Sequence, residues 1–349
     1  MKEFGSDFHA CAYPYPRGSG ILWPHESVRW YASGRMALQA IVNHVGISDL
    51  WVPSYYCHES LGALIRNEIR IRYYRCTPFT DPEEAVAVIP RKEGTGVVLM
   101  NYFGRFPLKH ICRDGLVIIE DHSHDLTGEW ASGSNADWCF ASVRKTLPVT
   151  DGGVLWSPSG YALPKEERVT DTVCRIALRR WKAMTLKAEY LTGVSRGVKA
   201  EFLNDFRETE NAIDALELSG ISPYAERIMA SLDISEWYRR KKENLECLIK
   251  NLDLTTESSI ISKFGEDSPA PFALVIVLSS HYARERLRTE LIRNNVYPAV
   301  LWNIPEEIDR DSASVGNRMM AIHCDGRYSA DDMTELANII NKAFRKCFL

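Results

Sequence analysis

The chain has 349 residues, 45% hydrophobic and 25% charged, an ordinary balance for a folded protein with a sizeable core. Its 42 basic and 46 acidic side chains give a formal net charge of −4, without the basic excess of an electrostatic nucleic-acid binder. The longest uninterrupted apolar run, FALVIVL at 272–278, is far short of the roughly 20 residues that a membrane helix needs, so neither nucleic acid nor membrane is an expected partner.

Nine cysteines, an odd count with no Cys-x-x-Cys pair, suit reduced thiols better than a disulfide framework. The opening MKEFGSDFHAC has no apolar stretch after its lysine, and a cytoplasmic location is expected. In chain order, strands are predicted at 50–52, 69–74, 96–101, 116–120, 138–142 and 153–156, with helices at 34–45 and 58–66. Several of these strands are rich in Val and Ile without polar alternation, as in a mostly parallel sheet covered on both faces. The middle is predicted helical over 209–232 and 234–249. A further helix carries an apolar stripe, Cys174, Ala177, Trp181, Met184, Ala188 and Leu191, with Arg175, Arg179 and Lys182 on a solvated face. The charge run 239–242 is expected on the surface. A strand at 272–278 and helices at 282–294 and 330–344 complete a smaller α/β unit. The expected division is a large domain over 1–233, with an N-terminal arm, and a small C-terminal domain over 234–349.

In an open α/β sheet the ligand sits beyond the carboxyl ends of the strands, so the loops there carry the functional signals. Ser33 is placed to cap a helix that begins Gly34-Arg35, where free amides suit an anion such as phosphate. The strand LVIIED delivers Asp121, His122, His124 and Asp125 to one end. These groups suit either an organic cofactor or a metal hydrolase site built on His122, His124 and the aspartates. Past the next strand, Ser142-Val143-Arg144-Lys145 enters a turn before Pro148 and a Gly pair, and a lysine held in such a turn is a candidate Schiff-base nucleophile. Val52–Cys57 (VPSYYC) places aromatic rings directly after a strand. An anion cup, an acid at a strand end, a turn lysine and a flat aromatic are together the requirements of pyridoxal 5'-phosphate.

The stretches SGRMAL (33–38), VPSYYC (52–57), NYFGR (101–105), IIEDHSHD (118–125), FASVRKTLPVTDGG (140–153), VYPAVLW (296–302) and CDGRYSADDM (324–333) resemble the DegT/DnrJ/EryC1/StrS family. That family of fold-type-I pyridoxal-phosphate enzymes is best known for its sugar aminotransferases. The resemblance implies that Lys145 forms the Schiff base and shuttles a proton, Asp121 holds the ring nitrogen, and His124 stands near the ring or its 3-oxygen. Ser33, Gly34, Arg35 and Ser142 would bind phosphate, and Tyr56, or Cys57 if the alignment runs through Pro53, would stack on the ring. No metal is implied.

A homodimer is implied, as is transfer of an amino group from glutamate or glutamine to a keto-sugar nucleotide or related keto or aldehyde intermediate. Lysine at 145 favours transamination over the family's dehydratases, which carry histidine. The family's GxNxR-like cross-subunit motif has no match between residues 200 and 226. That departure leaves room for a non-catalytic or regulatory relative, or for a pyridoxal-phosphate lyase or decarboxylase; a metal-dependent hydrolase is the remote alternative. Arg35, Arg144 and Arg327 are each open to reading a substrate anion or sitting on the surface.

Overall fold

The computed structural model describes residues 2–11, 27–254, 260–264 and 272–349. Its strands are β1 (Phe4–Gly5), β2 (Arg29–Tyr31), β3 (Asp49–Pro53), β4 (Arg70–Tyr74), β5 (Thr95–Met100), β6 (Leu116–Asp121), β7 (Trp138–Ser142), β8 (Gly153–Trp156), β9 (Ile260–Phe264), β10 (Leu274–Leu278), β11 (Val296–Tyr297) and β12 (Met319–Ile322). The helices are α1 (Gly34–Val45), α2 (Gly62–Arg66), α3 (Pro82–Ala87), α4 (Glu129–Gly133), α5 (Asp171–Thr192), α6 (Lys199–Asp214), α7 (Pro223–Ser231), α8 (Ile234–Lys250), α9 (His281–Arg293), α10 (Arg310–Arg318) and α11 (Ala330–Phe348).

A seven-stranded sheet runs β2-β8-β7-β6-β5-β3-β4. The strands from β7 through β4 pair in parallel, and β8 is antiparallel to both of its neighbours. Strand β5 is buried at every position, which is why its sequence TGVVLM shows no polar alternation. Parallel order puts the carboxyl ends of β3, β5, β6 and β7 along one edge. The predicted α/β class with a mostly parallel sheet flanked by helices is borne out.

A second, three-stranded antiparallel sheet runs β12-β10-β9, with α8, α9 and α11 contributing to its core. The apolar run 272–278 has a simple cause. Leu274, Ile276 and Leu278 point into this smaller core, while Val275 and Val277 pack into the larger one, so both faces of β10 are dry.

Several predicted elements differ from the observed ones. The helix predicted over 209–232 is two helices: α6 ends at Asp214, and α7 starts at Pro223 behind the cap Ser222, whose Oγ accepts from the Ala225 amide. The intervening chain is drawn onto the sheet edge, where the Ser219 carbonyl accepts from the Ala32 amide. The 58–66 helix begins as a 3-10 turn (His58–Leu61) before α2. The buried line of α5 runs through Val173, Ile176, Ala177, Ala183, Met184 and Lys187, and Arg179 and Lys182 pair with Asp205 and Glu201 of α6. Within the charge run, Lys241 is 2% exposed. The segments β1, β2, β9, β11, β12, α3, α4 and α10 went unpredicted, most of them too short to show a period.

One close approach shapes the sheet edge. Ser33 bridges Gly152, and a Cβ on Gly153 would stand 2.1 Å from the Ser33 carbonyl oxygen. Gly153→Ala must therefore push backbone against backbone. We expect it to destabilise the chain by about 1–3 kcal/mol in urea denaturation, against near neutrality for an alanine at the open position of Gly197.

Candidate active site

Four strand ends supply the groups. After β3 comes Tyr56, after β5 Phe103, from β6 Asp121 to Asp125, and after β7 the 3-10 turn Val143–Lys145. The amino end of α1 meets them beside β7: Ser33 caps the helix, its Oγ accepting from the Met36 amide at 3.3 Å. A Cβ on Gly34 would lie 2.8 Å from that of Ser142, so only glycine lets the helix end reach this strand end. Ser33, Gly34, Arg35, Tyr56, Asp121, Ser142 and Lys145 all line one cavity of about 330 Å³. His124 lines a second cavity, of about 610 Å³, which shares Lys145 with the first.

Asp121 is buried. Its Oδ2 accepts from the Tyr56 hydroxyl at 2.7 Å and its Oδ1 from the Ser123 amide at 2.9 Å. Burial, then the charge and hydrogen bond of Asp121, push the Tyr56 phenol well above its ordinary value, so Tyr56 stays a neutral donor.

His124 is buried between the rings of Phe103, Phe272 and Trp302. Its Nδ1 accepts from the Phe103 amide at 3.2 Å, which leaves the ring proton on Nε2. That amide is aimed by a residue held at φ 60, an unusual conformation for phenylalanine. Burial, then Lys145, Lys241 and His323, hold His124 well below its ordinary pKa, so the ring is neutral. Among the described residues Nε2 is a buried donor with no partner, the condition expected of a group that waits for a ligand acceptor.

The metal reading loses its ligands here. His122 sits between Glu120 Oε2 at 3.0 Å and Asp125 Oδ1 at 2.9 Å, with both ring nitrogens engaged. Glu120 also accepts from Trp130 and Ser134, and Asp125 from Asn101. Among the described residues the groups that come together are Glu120, His122 and Cys139, not His122 with His124. Burial opposes a charge on His122, but Asp125 and Glu120 outweigh it and raise the ring well above its ordinary pKa. The pair HxH is thus divided: one ring is a structural cation and the other a neutral donor.

Sequence reasoning missed Trp302. The Lys145 ammonium lies 5.3 Å from its ring centroid, and the ring runs nearly parallel to His124, at 5.7 Å and 14°. Two ties hold it there: Tyr55 donates its hydroxyl to the Leu301 carbonyl, and Ser54 bonds Asp309 and Ser312 across the fold. The only sequence signal was its place in VYPAVLW. Arg180 and Glu210 also went unnoticed; both line the larger cavity, together with Arg144. Arg327 is not on the surface and lines neither of the cavities that Lys145 lines: its side chain is 1% exposed, paired with Asp325 and stacked on Phe8.

No protein-family model matches the sequence, and no curated protein matches it either. Solved structures do match in fold. The PLP form of Spr1654 from Streptococcus pneumoniae is 12% identical, with 94% of this chain and 89% of that one covered and a TM-score of 0.58. The sugar aminotransferase CalS13 from Micromonospora echinospora is 14% identical over 90% and 87%, with a TM-score of 0.55. The 3-amino-5-hydroxybenzoic acid synthase is 14% identical over 93% and 88%, with a TM-score of 0.61. The chain therefore shares the overall fold of these structures, the fold that the resemblance implied.

The His122 cluster yields a stability prediction. Because its pKa is raised on folding, the stabilisation it gives is complete below about pH 6.5 and is lost as pH climbs through the folded value. His122→Gln should cost about 3–5 kcal/mol near pH 6, where two buried carboxylates lose their cation. Urea titrations from pH 6 to 9 should show the gap to the parent chain narrowing as pH rises; a gap constant with pH would mean that His122 is neutral.

Proposed function

We propose that the chain is a pyridoxal-5'-phosphate-dependent aminotransferase that takes an amino group from an amino-acid donor, glutamate or glutamine. The acceptor is a keto-sugar nucleotide or a related keto or aldehyde intermediate. The observation that carries this reading is the convergence of an amine (Lys145), a buried carboxylate (Asp121) and a helix amino end (Ser33–Arg35) on one cavity. The unpartnered Nε2 of His124 supports it, as does the fold shared with CalS13, a sugar aminotransferase, and with Spr1654 in its PLP form. The same reading expects a homodimer in the cytoplasm.

Asp121 would hold the cofactor's ring nitrogen in its protonated form, and Tyr56, already bonded to that carboxylate, would fix its orientation. The His124 Nε2 proton would be donated to the ring's 3-oxygen. Ser33, Gly34, Arg35 and Ser142 would take the phosphate. Tyr56 and Trp302 are the flat groups available to the ring faces. When bound, the cofactor supplies an aldehyde and an electron-withdrawing ring. Lys145 would contribute the amine that holds the aldehyde, and its Nζ, once free, would take the proton from the substrate carbon that bears nitrogen. Trp302 stands against this Nζ, and Phe272 and Trp302 both stack on His124.

Purified protein loaded with pyridoxal phosphate should show a visible absorbance band that glutamate bleaches. Lys145→Ala should lose the band and lower turnover by about a thousandfold. Full turnover with an unchanged band in that variant would overturn the assignment.

A further inference from the structure

The larger cavity, of about 610 Å³, contains charged groups that the chemistry above does not use. Arg144, the neighbour of Lys145, meets Glu210 of α6 fork to fork, Nη1 on Oε2 and Nη2 on Oε1, both at 2.5 Å. Arg180 of α5 donates from Nη1 to the same Oε2 at 3.2 Å, and from Nη2 to Asp7 Oδ1 at 3.3 Å. The Arg144 and Arg180 side chains are 13% and 12% exposed, whereas Glu210 keeps 40% of its side chain open. Two largely dry guanidiniums thus line a cavity that Lys145 also lines, and they share one carboxylate with an open face.

Bringing two cations together out of water is costly unless an anion joins them, and a planar fork is best matched by a planar carboxylate. Glu210 displays what these arginines accept. Arg144, Lys145 and Glu210 line both cavities, so the wall that carries the arginine pair also carries the amine.

We propose that Arg144 and Arg180 form the seat for a substrate carboxylate, and that Glu210 fills this seat until the substrate's own carboxylate replaces it. The ligand class is a small acid with a carboxylate at the far end from its reacting carbon, such as an acidic amino donor or the matching keto acid. Calling that ligand a substrate rests on the aminotransferase reading; the seat itself is tested without it.

The probe is glutarate, which has two carboxylates and no amine and cannot turn over. Calorimetric titration into the cofactor-loaded chain should show binding. Arg180→Met should weaken it at least about tenfold, the consequence of removing one fork from a desolvated ion pair. Glu210→Gln should tighten it several-fold, because the internal competitor loses its charge; if Arg180→Met does not fold, Arg180→Lys should weaken binding while keeping the positive charge. Glutarate that slows bleaching by glutamate places the seat on the donor, and glutarate that slows only recovery by 2-oxoglutarate places it on the keto acid. Failure of the cofactor reading would appear as an absent visible band while the glutarate titration still reports on the seat. Three results would overturn the proposal: no glutarate binding by a chain that shows the band, binding indifferent to Arg180, or Glu210→Gln weakening it as Arg180→Met does. Inorganic pyrophosphate binding more tightly than glutarate, through the same arginines, would also overturn the carboxylate assignment.

Discussion

At the end of β6 a charged imidazole is buried between two carboxylates, and the placement of the reactive groups follows from it. His122 is anchored by Glu120 behind it and Asp125 ahead of it, and those acids are anchored in turn by Trp130, Ser134 and Asn101. The five-residue span from Glu120 to His124 therefore has little freedom. Asp121 and His124, which alternate with the anchored residues, are delivered to the cavity side by the same backbone. An uncompensated charge in that position would be expensive, and this makes the cluster cooperative: its members stay together or lose their partners together.

The remaining constraints are steric. Glycines at 34 and 153 let the α1 amino end, the Ser142 strand end and the start of β8 share a space that side chains would fill. From the opposite side, Ser54 and Tyr55 fasten the segment carrying Trp302 to the end of β3. Lys145 lies where these constraints meet, its turn fixed by the close approach and its ammonium set against Trp302. The α5–α6 hairpin then closes the outer cavity with Arg180 and Glu210. On the proposed reading, cofactor chemistry and substrate selection would fall to different layers of the same wall.

Much of this was legible in the residues. The Val- and Ile-rich strands stand where their composition put them, because burial on both faces leaves a continuous apolar signature. The helix from Gly34 to Val45 carries its cap and its glycine stop in the sequence. That Asp121, Lys145, Ser33 and Tyr56 come to one cavity was legible because each lies next to a strand end or cap that announces itself. Trp302, Arg180 and Glu210 carry no such local mark: they reach the site through contacts between segments far apart in the chain. Lys241 misled for the same reason, since a lysine in a charged run gives no sign that Tyr238 and Phe272 enclose it. The split of His122 and His124 into a structural cation and a neutral donor likewise depends on Glu120, Asp125 and the Phe103 amide, of which only the first two are neighbours in sequence.

Lys145 as the cofactor's amine is the central claim, and Lys241 and Lys187 are the informative competitors, because burial pushes both amines down to about 8. Borohydride reduction of the pyridoxal-phosphate-loaded chain, followed by peptide mass mapping, locates the attachment directly. A single pyridoxyl adduct on Lys145 is the predicted result; an adduct on Lys241 or Lys187, or none at Lys145, would contradict it.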